Sequence, residues 1–175
     1  MLLNLTDVFT SEGKVKELSV PYEEKTFSYM GNEYEIKGDT VADMKLSNIG
    51  TGTVLVEGSV TALMIIPCDR CLEEVSTEIP LEIERKLDMK LTDEDRVNDL
   101  DESSYLTGMD LDVDQLVYLE VLMSWPLKVL CREDCKGICS QCGKNLNDGP
   151  CGCVEEPKDP RMAAISDIFS KFKEV

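Results

Sequence analysis

Two stretches in the first half of the chain alternate apolar and polar residues with the period of a strand that buries one face. From Thr53 the even positions Val54, Val56, Gly58, Val60, Ala62, Met64 and Ile66 are apolar or small, which predicts one long strand. After Cys71 the odd positions take over: Val75, Ile79, Leu81, Ile83, Leu87 and Met89 share a face, and Glu74, Ser76, Glu78, Glu82, Glu84, Lys86 and Asp88 share the other. Thr77 and Arg85 are the exceptions on the apolar side, and Pro80 marks an edge position or a bulge because proline cannot donate to a ladder. The two strands are expected to be arms of a long hairpin with Pro67-Cys-Asp-Arg-Cys71 at its tip. A shorter hairpin is expected upstream, where Lys25 to Met30 and Glu33 to Ile36 flank the turn dipeptide Gly31-Asn32.

Beyond these strands the period changes. Between Leu91 and Asp110 the chain is acidic and aperiodic, which predicts a connection without regular structure. A helix is expected next, capped by Asp112 with Gln115 at the return position of a capping box. Val113, Leu116, Val117 and Val121 form its apolar stripe, Glu120 is the one polar exception, and Pro126 is its stop. A last helix is predicted from Asp159 and Pro160, with Met162, Ile165, Ile168, Phe169 and Phe172 on one face. These elements add up to an α+β fold: an antiparallel β domain over residues 1–106, then a helix, a cysteine-rich zinc-binding module and a C-terminal helix over residues 107–175.

The cysteines carry the chemistry. Eight of them fall as Cys68-x2-Cys71, Cys131-x3-Cys135, Cys139-x2-Cys142 and Cys151-x-Cys153. No stretch approaches a membrane span and no cleavable export signal is evident, so the expected compartment is the cytoplasm, where thiols stay reduced and clustered cysteines read as metal ligands rather than disulfides. Cys139 to Cys153 is the strongest signal, four ligands ordered C-x2-C-x8-C-x-C with Asn147-Asp-Gly-Pro150 as a turn that returns the chain to the metal. Cys68, Cys71, Cys131 and Cys135 make a second set, so two Zn2+ ions are expected. Other partitions stay open: Cys135 can replace a member of the later set, and Cys68 and Cys71 can be ordinary buried thiols. Iron–sulfur ligation uses the same residue type, although these spacings are not those of ferredoxins. A thioredoxin-like site is disfavoured, because it needs a strand-to-helix setting and both flanks here read as strands.

Charge narrows the partners. The chain has 18 Lys+Arg against 35 Asp+Glu, a formal net charge of −17, and no histidine. Two zinc ions on eight thiolates would move that to about −21. Such a surface repels a phosphate backbone and favours fast encounter with a basic protein, although acidity also serves solubility alone. Arg161, Lys171 and Lys173 are too few to make a basic patch for direct RNA binding. The absence of histidine removes Cys–His and Ser–His nucleophile schemes, and no phosphate-binding glycine loop is present, so the expectation is a protein that is not an enzyme.

Several runs resemble one bacterial family. Pro67-Cys-Asp-Arg-Cys-Leu-Glu73, Trp125-Pro-Leu127, Leu130-Cys131, Asp134-Cys-Lys-Gly-Ile-Cys-Ser-Gln-Cys-Gly-Lys-Asn-Leu-Asn147 and Asp159-Pro-Arg-Met-Ala163 are similar to the YceD family, domain of unknown function 177. The resemblance implies a role in accumulation of the large-subunit (23S) ribosomal RNA, hence in large-subunit assembly, with a basic ribosomal protein or assembly intermediate as partner. Enterobacterial members resemble this chain at Cys68 and Cys71 and carry a histidine and a cysteine near Cys131 and Cys135, but lack the later cysteines. That implies Cys68, Cys71, Cys131 and Cys135 as one group. A second reading, from a different class, is a redox-responsive zinc protein acting as sensor or chaperone.

Overall fold

The computed structural model describes residues 1–92, 94–95 and 104–153. Its centre is a six-stranded antiparallel sheet. The strands are β2 (Val15–Pro21), β3 (Thr26–Tyr29), β4 (Asn32–Lys37), β5 (Val41–Asn48), β6 (Thr53–Pro67) and β7 (Glu74–Asp88). The long β6 organises it: β7 pairs with one edge from Thr53↔Asp88 to Pro67↔Glu74, while β5 and then β4 share the other edge. β2 and β3 extend the sheet through β5 and β4. β7 pairs with β6 alone among the described strands, so Pro80, opposite Thr61, sits on an edge strand.

Alternation sets which face is buried. Val54, Val56, Val60, Ala62, Met64 and Ile66 of β6 and Ile79, Leu81, Ile83 and Leu87 of β7 point inward, joined by Ala42, Met44 and Leu46 of β5. Gly58 belongs to this face for a steric reason. A Cβ there would stand 2.8 Å from the Asp43 carbonyl oxygen, so glycine lets β6 pass this close to β5 at the point where Gly58 is flanked by Met44 of β5 and Ile83 of β7.

A three-stranded sheet closes one side: β1 (Leu2–Asn4) pairs with β9 (Asp110–Asp112), which pairs with β8 (Leu106–Thr107). The short helix α1 (Thr6–Phe9) follows β1, and α2 (Val113–Met123) follows β9. Asp112 caps α2 by accepting from the backbone N–H groups of Asp114 and Gln115. The reciprocal half of the expected capping box is not made, because the Asp112 N–H donates to the Tyr105 carbonyl in the small sheet. Leu3, Leu5 and Val8 share one apolar cluster with Leu111, Val113, Leu116, Val117, Val121 and the large sheet, so residues on both sides of position 106 contribute to one core.

Two of the three polar exceptions in the apolar patterns, Arg85 and Glu120, answer each other. Arg85 Nη2 lies 2.7 Å from Glu120 Oε1, so the cation on the inner face of β7 meets the acid on the inner face of α2. Glu120 is 5% exposed, and burial raises its pKa above the ordinary glutamate value even though Arg85 opposes the shift.

Two expectations shift. The turn between β3 and β4 is Met30-Gly31 rather than Gly31-Asn32, with Tyr29 opposite Asn32. Both turn residues have positive φ, 48° and 80°, as a two-residue hairpin of this hand requires, and exposed Met30 accepts the left-handed conformation. The stretch 91–110, read as an irregular connection, contains β8, the start of β9 and the buried Tyr105 and Leu106. The expected helix at 159–172 and most of the acidic run from Asp93 lie outside the described residues.

Candidate metal centres

The two Cys-x2-Cys pairs are each positioned by a tight turn. At the end of β6, the Leu72 N–H donates to the Cys68 carbonyl at 2.9 Å, and farther along the Gly143 N–H donates to the Cys139 carbonyl at 2.9 Å. The residue after the second cysteine is left-handed in both turns, φ 64° at Leu72 and 72° at Gly143. Both segments therefore fold as the same C-x-x-C turn, one ending in a glycine, which takes this conformation freely, and one in a strained, exposed leucine.

The tip between β6 and β7 is joined to the later cysteines by backbone pairing. The Asp69 N–H donates to the Val129 carbonyl at 2.9 Å, and Asp69 Oδ2 accepts from the Val129 N–H at 2.7 Å. This clamp delivers Cys131 and Cys135 beside Cys68 and Cys71. Arg70 Nη1 adds a bond to the Cys135 carbonyl at 2.8 Å.

All eight cysteines are free thiols, and they gather into two groups: Cys68, Cys71, Cys131 and Cys135, and Cys139, Cys142, Cys151 and Cys153. Within each group the sulfurs lie within 4.8 Å of one another. Cys68 and Cys135 sulfurs are 3.8 Å apart, and those of Cys71 and Cys131 are 3.5 Å apart. Four sulfurs at 2.3 Å from a tetrahedral ion stand roughly 3.8 Å apart, whereas a disulfide brings them to about 2 Å. The donor set and its spacing thus fit a four-coordinate metal. The grouping places Cys135 with the first set.

Electrostatics within the groups are uneven. Burial works against the Cys68 thiolate, but the backbone N–H groups of Cys71, Arg70 and Cys131 outweigh it and hold the pKa down to about 6. The N–H groups of Cys142 and Gln141 bring Cys139 to about 6 as well. The Asn147 side-chain amide, 3.3 Å from Cys135 Sγ, is the main cause lowering that thiol. Cys71 is raised by burial, and the neighbouring Cys142 sulfur pushes Cys153 up to about 12. A cation held among the four sulfurs of either group would offset the negative charge of their thiolates. The first group is mostly buried, whereas Cys142 of the second is exposed.

The sequence model described as "Large ribosomal RNA subunit accumulation protein YceD" matches residues 56–169, a span that holds every cysteine. The chain belongs to the YceD family.

Curated relatives of this YceD chain include an uncharacterized protein of Mycobacterium tuberculosis (strain ATCC 25618 / H37Rv), 29% identical over 73% of the chain and 60% of the relative. An uncharacterized protein of Mycobacterium leprae is 26% identical over 73% of the chain and 58% of the relative. The chain thus spans about 60% of the length of these relatives. A protein of Arabidopsis thaliana named as a chloroplastic YCED homolog is 32% identical over 34% of the chain and 17% of its own length. No solved structure matches.

A second surface of this YceD chain concerns charge. Register aligns Glu17, Lys45, Glu57 and Glu84 in one row across the outer face of the large sheet, with Ser19, Asp43, Ser59 and Glu82 in the next. Lys45 pairs with Glu57 at 3.1 Å, and among the described residues Glu17, Asp43, Glu82 and Glu84 have no ion-pair partner around a shallow concavity. The sequence pattern drew attention to the acidic stretch between Leu91 and Asp110 and did not identify this face. The signal was present in the polar half of each strand's alternation, but it becomes a surface only once register is known. Among the described residues no helix is long and apolar enough to cross a membrane.

Proposed function

We propose that this protein is a non-enzymatic, cytoplasmic factor in 23S ribosomal RNA accumulation and large ribosomal subunit assembly, with a Zn2+ ion in each four-cysteine group. Membership of a family named for large ribosomal RNA subunit accumulation carries the reading. The site chemistry agrees with it. Four thiolates close the coordination shell of zinc and leave no position for a substrate or activated water, so such ions brace structure rather than catalyse. The first ion would fasten the β6–β7 tip to the segment after α2, and the second would fold residues 139–153 against that tip.

The partner in this proposal is a basic ribosomal protein, or an assembly intermediate that displays one, met by the acidic outer face of the sheet. Opposite potentials raise the association rate more than they slow dissociation. Depletion in growing cells should lower 23S relative to 16S ribosomal RNA, and affinity capture of the full chain should recover large-subunit proteins. Replacing Glu17, Asp43, Glu82 and Glu84 by amides should weaken that capture at low salt without unfolding the protein. Unchanged rRNA ratios on depletion, or tight binding of naked ribosomal RNA at physiological salt, would overturn the proposal. The exposure of Cys142 supports a second reading, a redox-responsive zinc protein. Release of zinc from the second group by mild peroxide, together with gain of partner binding, would favour it.

A further inference from the structure

Asn147 lies in the eight-residue span between Cys142 and Cys151, so both ends of its loop belong to the second sulfur group. Its side chain serves the first. Nδ2 donates to Cys135 Sγ at 3.3 Å, and Oδ1 accepts from the Lys136 N–H at 2.8 Å, so one planar amide holds a first-group sulfur and the backbone beside it. Its neighbours fix the amide in place. Asn145 Oδ1 accepts from the Asn147 N–H at 2.9 Å, and the Leu146 N–H donates to the Gly137 carbonyl at 2.8 Å. Asn145 Nδ2 also reaches Glu73 Oε1 at 2.8 Å, beside Cys71.

We infer that Asn147 is a positioning residue that couples the two groups, so that a metal ion in the second raises the affinity of the first for its own ion. The inference rests on the reading of both groups as metal sites. An ion bound by Cys139, Cys142, Cys151 and Cys153 closes the loop carrying Asn147 and removes the entropy of ordering it. The amide is then held ready for the Cys135 sulfur. Outer-shell hydrogen bonds of this kind change metal affinity by about 10–100-fold, and linkage makes the effect reciprocal. The Cys-x-x-Cys-Gly-x-Asn-Leu-Asn run thereby gains a reason for its asparagines: the first bonds toward the tip at Glu73, and the second bonds a sulfur outside its own loop.

The test is a double-mutant cycle on the full chain with Cd2+ as probe, reading first-group affinity by chelator competition and each site by its own 113Cd resonance. The four chains are wild type, Cys151→Ser/Cys153→Ser, Asn147→Asp, and the combination. Asn147→Asp keeps all eight cysteines and the oxygen that accepts from Lys136, but turns an oxygen instead of a donor toward Cys135. Disabling the second group should weaken the first by about tenfold in the wild-type background and by less than about twofold in the Asn147→Asp background. Asn147→Asp alone should shift the first-group resonance and leave the second in place. Equal weakening in both backgrounds, or none in either, would overturn the coupling while leaving two metal sites standing. Failure of the wild-type chain to bind Cd2+ would remove the metal reading and the inference with it.

Discussion

Asp69 sits between the two cysteines of the β6–β7 tip, and its side chain is the acceptor that holds the chain arriving from α2. Asp69→Ala removes the 2.7 Å bond to the Val129 N–H while keeping the backbone bond from the Asp69 N–H to the Val129 carbonyl. A hydrogen bond to a charged acceptor contributes roughly 1.5–3 kcal/mol. Asp69 is exposed, so water competes for it, but Val129 is 6% exposed and its freed N–H is poorly placed to find water. The expected loss is therefore about 1–2 kcal/mol. Asp69→Asn keeps an acceptor without the charge and should lose about half as much, since charge-assisted bonds are roughly twice as strong as neutral ones. Trp125, the single tryptophan, lies 4.7 Å from the Tyr29 ring and 4.8 Å from the Tyr34 ring, so its fluorescence reports the junction during urea unfolding. A loss below about 0.3 kcal/mol for the alanine variant, or an equal loss for both variants, would refute the reasoning.

Other substitutions probe other links. Gly58→Ala should destabilise the sheet by about 1–3 kcal/mol, measured by urea unfolding, because its Cβ meets the backbone of β5 rather than a side chain that can move. Leu72→Gly should raise stability by about 0.5–1 kcal/mol in the same assay by relieving a left-handed leucine on the surface. Glu120→Gln tests the buried acid. Its pKa is raised on folding, so its contribution is most favourable below the unfolded glutamate range and is lost as pH rises through the folded value. The stability of Glu120→Gln relative to wild type should therefore increase from pH 4 to pH 7, and a constant or declining difference would contradict the assignment.

The strands β6 and β7 were legible because each alternates over 15 residues, and a one-residue slip would have exposed a whole apolar face. The exceptions Arg85 and Glu120 were legible as exceptions but not as a pair, since nothing in a one-dimensional pattern says which inner face meets which. The β5 alternation, Ala42, Met44 and Leu46, is present in the sequence but was not read as a strand. It is short and bordered by polar residues, and its role depends on pairing with β6. β8 and β9 carry two and three residues, too few for a local period to announce them; β8 pairs with β9, and β9 pairs in turn with β1 more than 100 positions away. For the cysteines, spacing identified the C-x-x-C turns. The position of Cys135 depended on the Asp69–Val129 clamp and the Asn147 amide, contacts made across 60 and 12 residues.

The claim on which the rest depends is that each four-cysteine group holds zinc. Native mass spectrometry of the full chain purified without chelator, combined with elemental analysis, tests it directly. The account predicts two zinc ions per chain, with Cys139→Ser losing one and retaining the β core, and Cys71→Ser losing the other. A chain with no metal, or with iron in place of zinc, would contradict it.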